Sequence, residues 1–385
     1  MHKKFLVAPG PTPVAAEILL EMAQPMIHHR TKQFEEIYKG VLEDLKWVYQ
    51  TTQDVIMLSG TGTAGMEAAV CNTHSPGDKV ICVEGGKFGE RWTEISRAFG
   101  LIPIVLKVEW GTTCSAADIK KLLDENKDVK SVMIQACETS TAVSYPIQEI
   151  ADVVSKTDAL LIVDGITGVG VDDIKFDAWK IDALVAGSQK ALMLPPGASF
   201  VALSEKAWKR AAESKCPKYY LNLDIERKNA KKSTTAWTAN VTLALGLKKS
   251  IEIMRKDGLE KWFKKNAVLA EATRAAAVAM GMKVYAKMNP ANAVTAIELP
   301  ESVDGEKLYN ILQDKYGVTA AGGQDKLKGK ILRIGHLGFI DPSDIIVTLQ
   351  RMEWALRDLG YNVEFGKGIG AAQEVFYKNK EVFQA

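Results

Sequence analysis

The 385-residue chain is poor in the residues that make disulfide frameworks and metal sites: it has five cysteines and five histidines. Cys71, Cys82, Cys114, Cys137 and Cys216 are scattered, odd in number and form no C-x-x-C pair, so they read as small buried hydrophobes in a reducing compartment. His28 and His29 are adjacent and the others stand alone, so no metal-ligand spacing arises and no metal is expected. No apolar run approaches the roughly 18 residues that span a bilayer. The opening stretch Met1–Pro9 holds too few apolar residues for a signal peptide, and a cytoplasmic location is the expectation. Charge of one sign is lacking too. A formal net charge of +2 gives no electrostatic reason to expect nucleic acid or membrane, and the pairs Lys120-Lys121, Lys231-Lys232 and Lys248-Lys249 read as solvated faces.

What is present is an ordinary globular composition, 47% apolar and 25% charged, in a chain longer than one comfortable core. Pro9-Gly10-Pro11-Thr12-Pro13 forbids helix and imposes a stiff extended path. From residue 54 onward short apolar runs alternate with amphipathic segments. Strands are expected at Val55–Leu58, Lys79–Val83, Ile102–Val108, Ser131–Gln135, Ala159–Val163, Ile181–Val185 and Ser199–Leu203. The fold class is therefore α/β, a mostly parallel sheet covered by helices, with functional groups outside the carboxyl ends of the strands. The passage 214–233, of lower complexity and rich in Lys, Asn and Asp, reads as a surface run. After Gly258 the composition shifts to an Ala-rich helix and a smaller α/β unit, which divides the chain into an N-terminal segment (1–20), a large unit (21–257) and a small C-terminal unit (258–385). In that unit, helices are expected at Gly305–Lys315 and Asp341–Leu359.

Three side chains carry chemistry. Lys190 lies just beyond an apolar strand, followed by Ala191-Leu192-Met193-Leu194. A lysine among buried residues is costly unless its amine is neutral or chemically used. Asp164 closes another apolar strand. A carboxylate there either caps a turn or faces a cation, where it gains on the order of 4 kcal/mol at about 4 Å for an effective dielectric near 20, before desolvation. A lysine that captures an aldehyde and an acid that faces a cationic ring are the minimal equipment for pyridoxal phosphate. Arg333, inside a predicted strand, either pairs internally or offers its planar fork to a ligand carboxylate. His336 reads as a structural histidine. Ser59-Gly60-Thr61-Gly62-Thr63-Ala64-Gly65, between a strand and a helix, suits phosphate at a helix N-terminus. It also fits G-x-G-x-x-G, with Glu84 as the ribose acid of a dinucleotide site, and it fits a plain tight turn.

In this order, the motifs resemble the class V aminotransferases, nearest the alanine–glyoxylate and serine–pyruvate or serine–glyoxylate group. The resemblance runs through Pro9–Pro13, Ser59–Thr63, Gly86–Arg91, Glu138–Thr141, Val163-Asp164, Gly187–Ala191, Pro195–Gly197 and Leu332–Gly338. It implies the aspartate-aminotransferase-like fold with a seven-stranded sheet, and pyridoxal 5′-phosphate as cofactor. By that resemblance Lys190 binds the cofactor aldehyde and moves the proton, and Asp164 holds the ring nitrogen. Thr61, Gly62 and Thr63 bind phosphate with Gln189, Phe88 stacks on the ring, and Thr139 contacts the ring or its phenolic oxygen. Thr235 and Thr238 reach a partner's phosphate in a homodimer with shared sites. Arg333 clasps the substrate carboxylate beside the Pro9-Gly10 backbone of the N-terminal segment. The implied reaction moves an amino group from serine or alanine to glyoxylate or pyruvate, with aspartate as an alternative donor. Departures are Ala142 for a common glycine, Thr139 for a common serine, Phe88 for a common tryptophan and Thr235 for a tyrosine; the roles of His28, His29 and Arg30 stay open.

Three rivals remain. Cysteine desulfuration needs a nucleophilic cysteine before the arginine strand, and Ala320–Leu327 has none. A nicotinamide oxidoreductase built on Gly60, Gly62 and Gly65 leaves Lys190, Asp164 and Arg333 without tasks. A non-catalytic interaction protein has no need of the lysine and the aspartate.

Overall fold

The computed structural model describes residues 3–384; Met1, His2 and Ala385, with the parts of the leader reading and of the terminal segments that fall on them, lie outside. Seven strands form the main sheet: β1 (Val55–Ser59), β2 (Lys79–Glu84), β3 (Ile102–Lys107), β4 (Ser131–Gln135), β5 (Leu160–Asp164), β6 (Ala183–Gly187) and β7 (Ala198–Leu203). Their spatial order is β1-β7-β6-β5-β4-β2-β3. The pairs β2–β3, β2–β4, β4–β5 and β5–β6 are parallel, while β7 runs antiparallel to both β1 and β6. Strands β4 to β7 are buried at every position, which is why they read as continuous apolar runs rather than alternating ones.

The antiparallel return from β6 to β7 decides where the lysine goes. A parallel neighbour would require a helical crossover, whereas an antiparallel one needs only a loop. Residues 188–197 form that loop at the carboxyl end of β6. It closes on itself: Ser188 Oγ donates to Pro195 O (2.8 Å) and accepts from Ala198 N (3.2 Å), and Met193 N donates to Lys190 O (3.0 Å).

Helices cover the sheet on both faces. Lys32–Tyr49 is capped by Thr31, whose hydroxyl accepts from Phe34 N, and it buries Phe34, Tyr38, Val41, Leu45 and Val48 at spacings of three and four. Each such large side chain contributes about 1.5–3 kcal/mol by burial. Gly62–Thr73 follows β1, and Lys87–Ala98 follows β2.

A second sheet, β8 (Lys283–Val284), β9 (Val294–Glu298), β10 (Ala321–Gly322) and β11 (Ile331–Gly335), has the order β8-β9-β11-β10 and is antiparallel throughout. Its apolar cluster includes Leu269 and Ala276 of helix Leu259–Ala279, and Leu349 and Met352 of helix Pro342–Asp358. Asp341 and Asp344 form a capping box at the start of the latter, with Pro342 at its first turn. The N-terminus joins this cluster: Phe5–Leu6 pairs with Val318–Thr319, and Phe5 and Val7 are buried there. The chain then crosses to the main sheet, where Thr12 N donates to Gln189 O (3.2 Å) and Thr12 Oγ1 to Lys190 O (2.9 Å).

Most expected elements occur within one or two residues of their positions. Three helices did not show in the sequence: Glu205–Glu213, Leu223–Ala230 and Lys367–Lys378. The second lies within the surface run 214–233. It buries only Leu223 and Glu226, too few positions for a periodic signal, and is started by Asn222, whose side chain accepts from Asp224 N and Ile225 N. The expected helix Gly305–Lys315 changes to a π-turn at Ile311.

Candidate active site

Four segments meet beyond the carboxyl ends of β1, β5 and β6. Lys190 comes from the β6–β7 loop, and its Nζ donates to the carbonyl of Pro9 at 2.6 Å. Gly10 lies against the same side chain: a Cβ at residue 10 would sit 2.4 Å from Nζ, and its φ of +135° disfavours any other residue. Burial pushes the Lys190 amine down to about 8, against the upward pull of the Asp164 carboxylate. A lysine so placed has a usable neutral fraction near neutrality, which a nucleophilic amine requires.

Asp164 ends β5 and is 5% exposed. One carboxylate oxygen accepts from Ile166 N (2.8 Å), a local turn that fixes the side chain. Burial raises its carboxyl to about 6, partly offset by that bond and by the charges of Arg91 and Lys190. A buried acid held this way favours a cationic partner, which would pull it back to full ionisation.

The Gly-rich turn leads into helix Gly62–Thr73. Thr61 is its N-cap residue, is exposed, and makes no side-chain capping bond. Thr63 Oγ1 accepts from Arg91 NH1 (3.2 Å), and the Arg91 guanidinium lies 5.0 Å from the centre of the Phe88 ring. At Gly62 a Cβ would strike Ile166, which follows the Asp164 turn, at 2.4 Å. The turn after β1 and the end of β5 are thus in direct contact. Gln189 Oε1 is buried and has no hydrogen-bond partner, an acceptor site that a buried amide ordinarily fills.

Thr139 is buried and donates from Oγ1 to Thr167 Oγ1 (2.9 Å). Its carbonyl accepts from Arg333 NH1 (3.0 Å), and Arg333 Nε donates to Gly322 O (3.0 Å). Arg333 is 6% exposed, and among the described residues it forms no salt bridge. Burial lowers its guanidinium to about 10. Two backbone carbonyls orient the fork while no internal carboxylate occupies it.

Thr235 and Thr238 stand apart from this group. Thr235 Oγ1 donates to Trp237 O (2.6 Å), and Thr238 is exposed in a groove it shares with Met26, His28, His29 and Ser59. Arg30 donates to Thr234 Oγ1 and Thr235 O, both 2.7 Å, and holds that segment in place. His336 is buried and neutral, its ring pushed down to about 3 by burial, with Nδ1 3.1 Å from Asn292 O. Arg91, Glu138, Thr12 and Thr167 are the participants that sequence reasoning gave no task. The sequence signal for Glu138 is its place in the Glu138–Thr141 motif, an acid among apolar and small polar neighbours.

The donor set fits pyridoxal phosphate. A lysine amine, a buried acid, hydroxyls and a glycine N–H at a helix N-terminus, and an aromatic ring converge without a metal-type cluster; among the described residues no three His, Cys, Asp or Glu side chains are grouped to hold an ion. The model of the family described as aminotransferase class-V matches residues 14–333. The chain is 40% identical to the soluble hydrogenase 42 kDa subunit of Anabaena cylindrica, over 97% of this chain and 99% of that one. It is 33% identical to the serine–glyoxylate aminotransferase of Methylorubrum extorquens, over 98% and 97%. The crystal structure of ureidoglycine–glyoxylate aminotransferase from Bacillus subtilis superposes with a TM-score of 0.92 at 28% identity, over 98% of this chain and 99% of that one. The lysine loop, the buried acid and a family match over most of the chain lead to one conclusion: this protein belongs to the class V aminotransferases, enzymes that depend on pyridoxal 5′-phosphate.

Proposed function

We propose that the enzyme moves an amino group from a small amino acid, serine or alanine, to a small 2-oxo acid, glyoxylate or pyruvate, in two alternating half-reactions. The observation that carries this reading is Arg333: buried, oriented by Thr139 O and Gly322 O, and free of an internal acid. It offers a single carboxylate clasp, which suits a substrate with one carboxylate.

Pyridoxal phosphate supplies the aldehyde that takes up the amino group and the cationic ring that accepts electrons from the substrate carbon. The protein's share is placement and proton transfer. Lys190 would hold the aldehyde, and its free amine would move the proton at the substrate carbon. Asp164 keeps the ring nitrogen protonated. Thr61, Gly62 N, Thr63 and Gln189 would hold the phosphate, Phe88 would cover the ring, and Thr139 would contact the ring or its phenolic oxygen. Pro9 and Gly10 line the substrate side. Thr235 and Thr238 reach the phosphate of a second subunit in a homodimer. The exposure of Thr238 on an open groove supports a contribution in trans; Thr235 is buried beneath it, its hydroxyl on Trp237 O.

The division into 1–20, 21–257 and 258–385 belongs to this reading; each sheet has its own large apolar cluster, and a smaller one joins Cys137 and Ala191 to Ala293 and Ile331. A cytoplasmic location is supported by five free, buried cysteines; among the described residues no helix is long and apolar enough to cross a membrane. The redox activity in the Anabaena relative's name is not carried over, because the donor groups of this chain are arranged for an aldehyde and a phosphate. A matrix of serine, alanine and aspartate against glyoxylate, pyruvate and 2-oxoglutarate, with keto-acid products identified, tests the proposal. Serine or alanine with glyoxylate or pyruvate should be fastest. Turnover confined to aspartate, or to none of the nine pairs, would overturn it.

A further inference from the structure

Glu138 is a fully buried carboxylate with no lysine or arginine paired to it among the described residues. It sits at the end of the two-residue strand Cys137–Glu138. Five donors converge on its two oxygens. Oε1 accepts from Ser140 Oγ (2.5 Å), Ser140 N (3.2 Å) and Phe88 N (3.3 Å); Oε2 accepts from Gly89 N (2.8 Å) and Gln135 Nε2 (3.2 Å). Two of these donors are the first-turn amides of helix Lys87–Ala98, so the positive end of that helix also faces the charge. The approach is close enough to demand glycines. A Cβ at Gly86 would lie 2.4 Å from Ser140 Oγ and 2.5 Å from Glu138 Cδ; one at Gly89 would lie 2.4 Å from Val83 O of the neighbouring strand and 2.9 Å from Gln135 Nε2.

Each partner borders the candidate site. Phe88 is the ring-covering residue. Residues 138–140 form the turn that presents Thr139, whose carbonyl orients Arg333 and whose hydroxyl meets Thr167. The same carboxylate is the charge that offsets the burial of the Arg333 guanidinium. Because all its acceptor positions are engaged, it cannot swing over to fill the arginine fork.

Resting on the transaminase reading, we propose that Glu138 is the positioning residue of this site: one acceptor-only carboxylate fixes the Phe88 backbone and the Thr139 turn together. Cofactor stacking and the carboxylate clasp are thereby set in one geometry. Glutamine is a poor replacement, because its NH2 would face at least one fixed backbone N–H whichever way it turned: Ser140 N and Phe88 N on one side, Gly89 N on the other.

The test compares holoenzyme carrying Glu138→Gln with wild type and with Ser140→Ala, which removes one donor and keeps the charge. Three readouts are taken: cofactor retained after dialysis, read by absorbance; KM and kcat separately; and melting temperature. Glu138→Gln should lose cofactor several-fold faster and raise KM for both substrates about tenfold or more, with kcat less affected; Ser140→Ala should change each far less. A folded Glu138→Gln protein with wild-type cofactor retention and KM would overturn the proposal, as would a loss confined to melting temperature. A Glu138→Gln protein that fails to fold shifts the test to Gly89→Ala. Its methyl group meets Val83 O and Gln135 Nε2, which shifts the start of the helix away from the carboxylate, and it should show the same loss of cofactor; unchanged retention overturns the proposal. Cofactor retention is read without substrate, so it separates this inference from the choice of amino donor.

Discussion

The Nζ of Lys190 donates a 2.6 Å hydrogen bond to the carbonyl oxygen of Pro9, 181 positions away in the chain. The bond fixes the buried amine against the N-terminal segment. Replacing Lys190 with alanine should abolish covalent cofactor binding and lower turnover by about 10⁴-fold, the upper range for loss of a general acid–base. Absorbance of the purified protein, with and without added pyridoxal phosphate, checks this. A variant as yellow and as active as wild type refutes the assignment.

Gly10 is the floor under that lysine. Gly10→Ala puts a methyl group 2.4 Å from Nζ at a φ of +135°. Cofactor attachment should fall at least tenfold while the melting temperature drops only a few degrees, since the residue lies at the rim of both cores. Calorimetry and absorbance on one preparation separate the two effects; equal losses in both would count against the argument.

The amine of Lys190 is held near 8 rather than 10.5, chiefly by burial. The neutral amine is the reactive form, so cofactor uptake by the apoprotein should accelerate as pH rises and level off above about 8. Linkage gives a second signature. Between about 8 and 10.5 the unfolded chain binds the extra proton, so this lysine's contribution makes the apoprotein more stable as pH rises. Asp164, raised from 3.8 to about 6 by burial, acts oppositely: the folded state binds the extra proton, and stability is lost as pH rises through that window. Apoprotein melting curves for wild type, Lys190→Met and Asp164→Asn should differ in those windows. Parallel curves would mean that neither group is perturbed.

Arg333 donates to Thr139 O and Gly322 O and keeps its remaining donors for a ligand. Lysine keeps the charge but loses the fork. Arg333→Lys should raise KM for both amino and oxo acids about 10- to 100-fold, as expected for losing a charge-assisted bond of about 1.5–3 kcal/mol. A change in kcat alone would place the arginine elsewhere in the reaction.

Thr238 lies exposed on the groove with His28, His29 and Ser59. If it serves a neighbouring subunit, light scattering should give twice the 42.1 kDa chain mass, and Thr238→Ala should weaken cofactor retention several-fold without altering the melting temperature of the apoprotein. A monomer that is fully active would end the proposal of shared sites.

The sheet was legible because strands buried on both faces leave unbroken apolar runs, as in Leu160–Val163 and Phe200–Leu203. Asp164 and Lys190 were legible for the related reason that a charged residue at the end of such a run must have a task. Helix Leu223–Ala230 was not, because it buries two residues and is held by a cap. Arg91 and Glu138 were quoted among the motifs, yet their partners Thr63 and Gly89 lie 28 and 49 positions away, beyond any local pattern.

By itself, the order of residues determined the α/β class, the strand ends that carry chemistry and the family to which the chain belongs, since burial and backbone propensity act locally and leave periodic traces. Only the tertiary structure decided that the N-terminal Pro9 and Gly10 lie against Lys190, that Arg333 has an unoccupied fork, and that Glu138 serves two walls of the site. Those contacts join segments far apart in the chain, and they exist because packing two sheets and a crossing N-terminus brings their edges together.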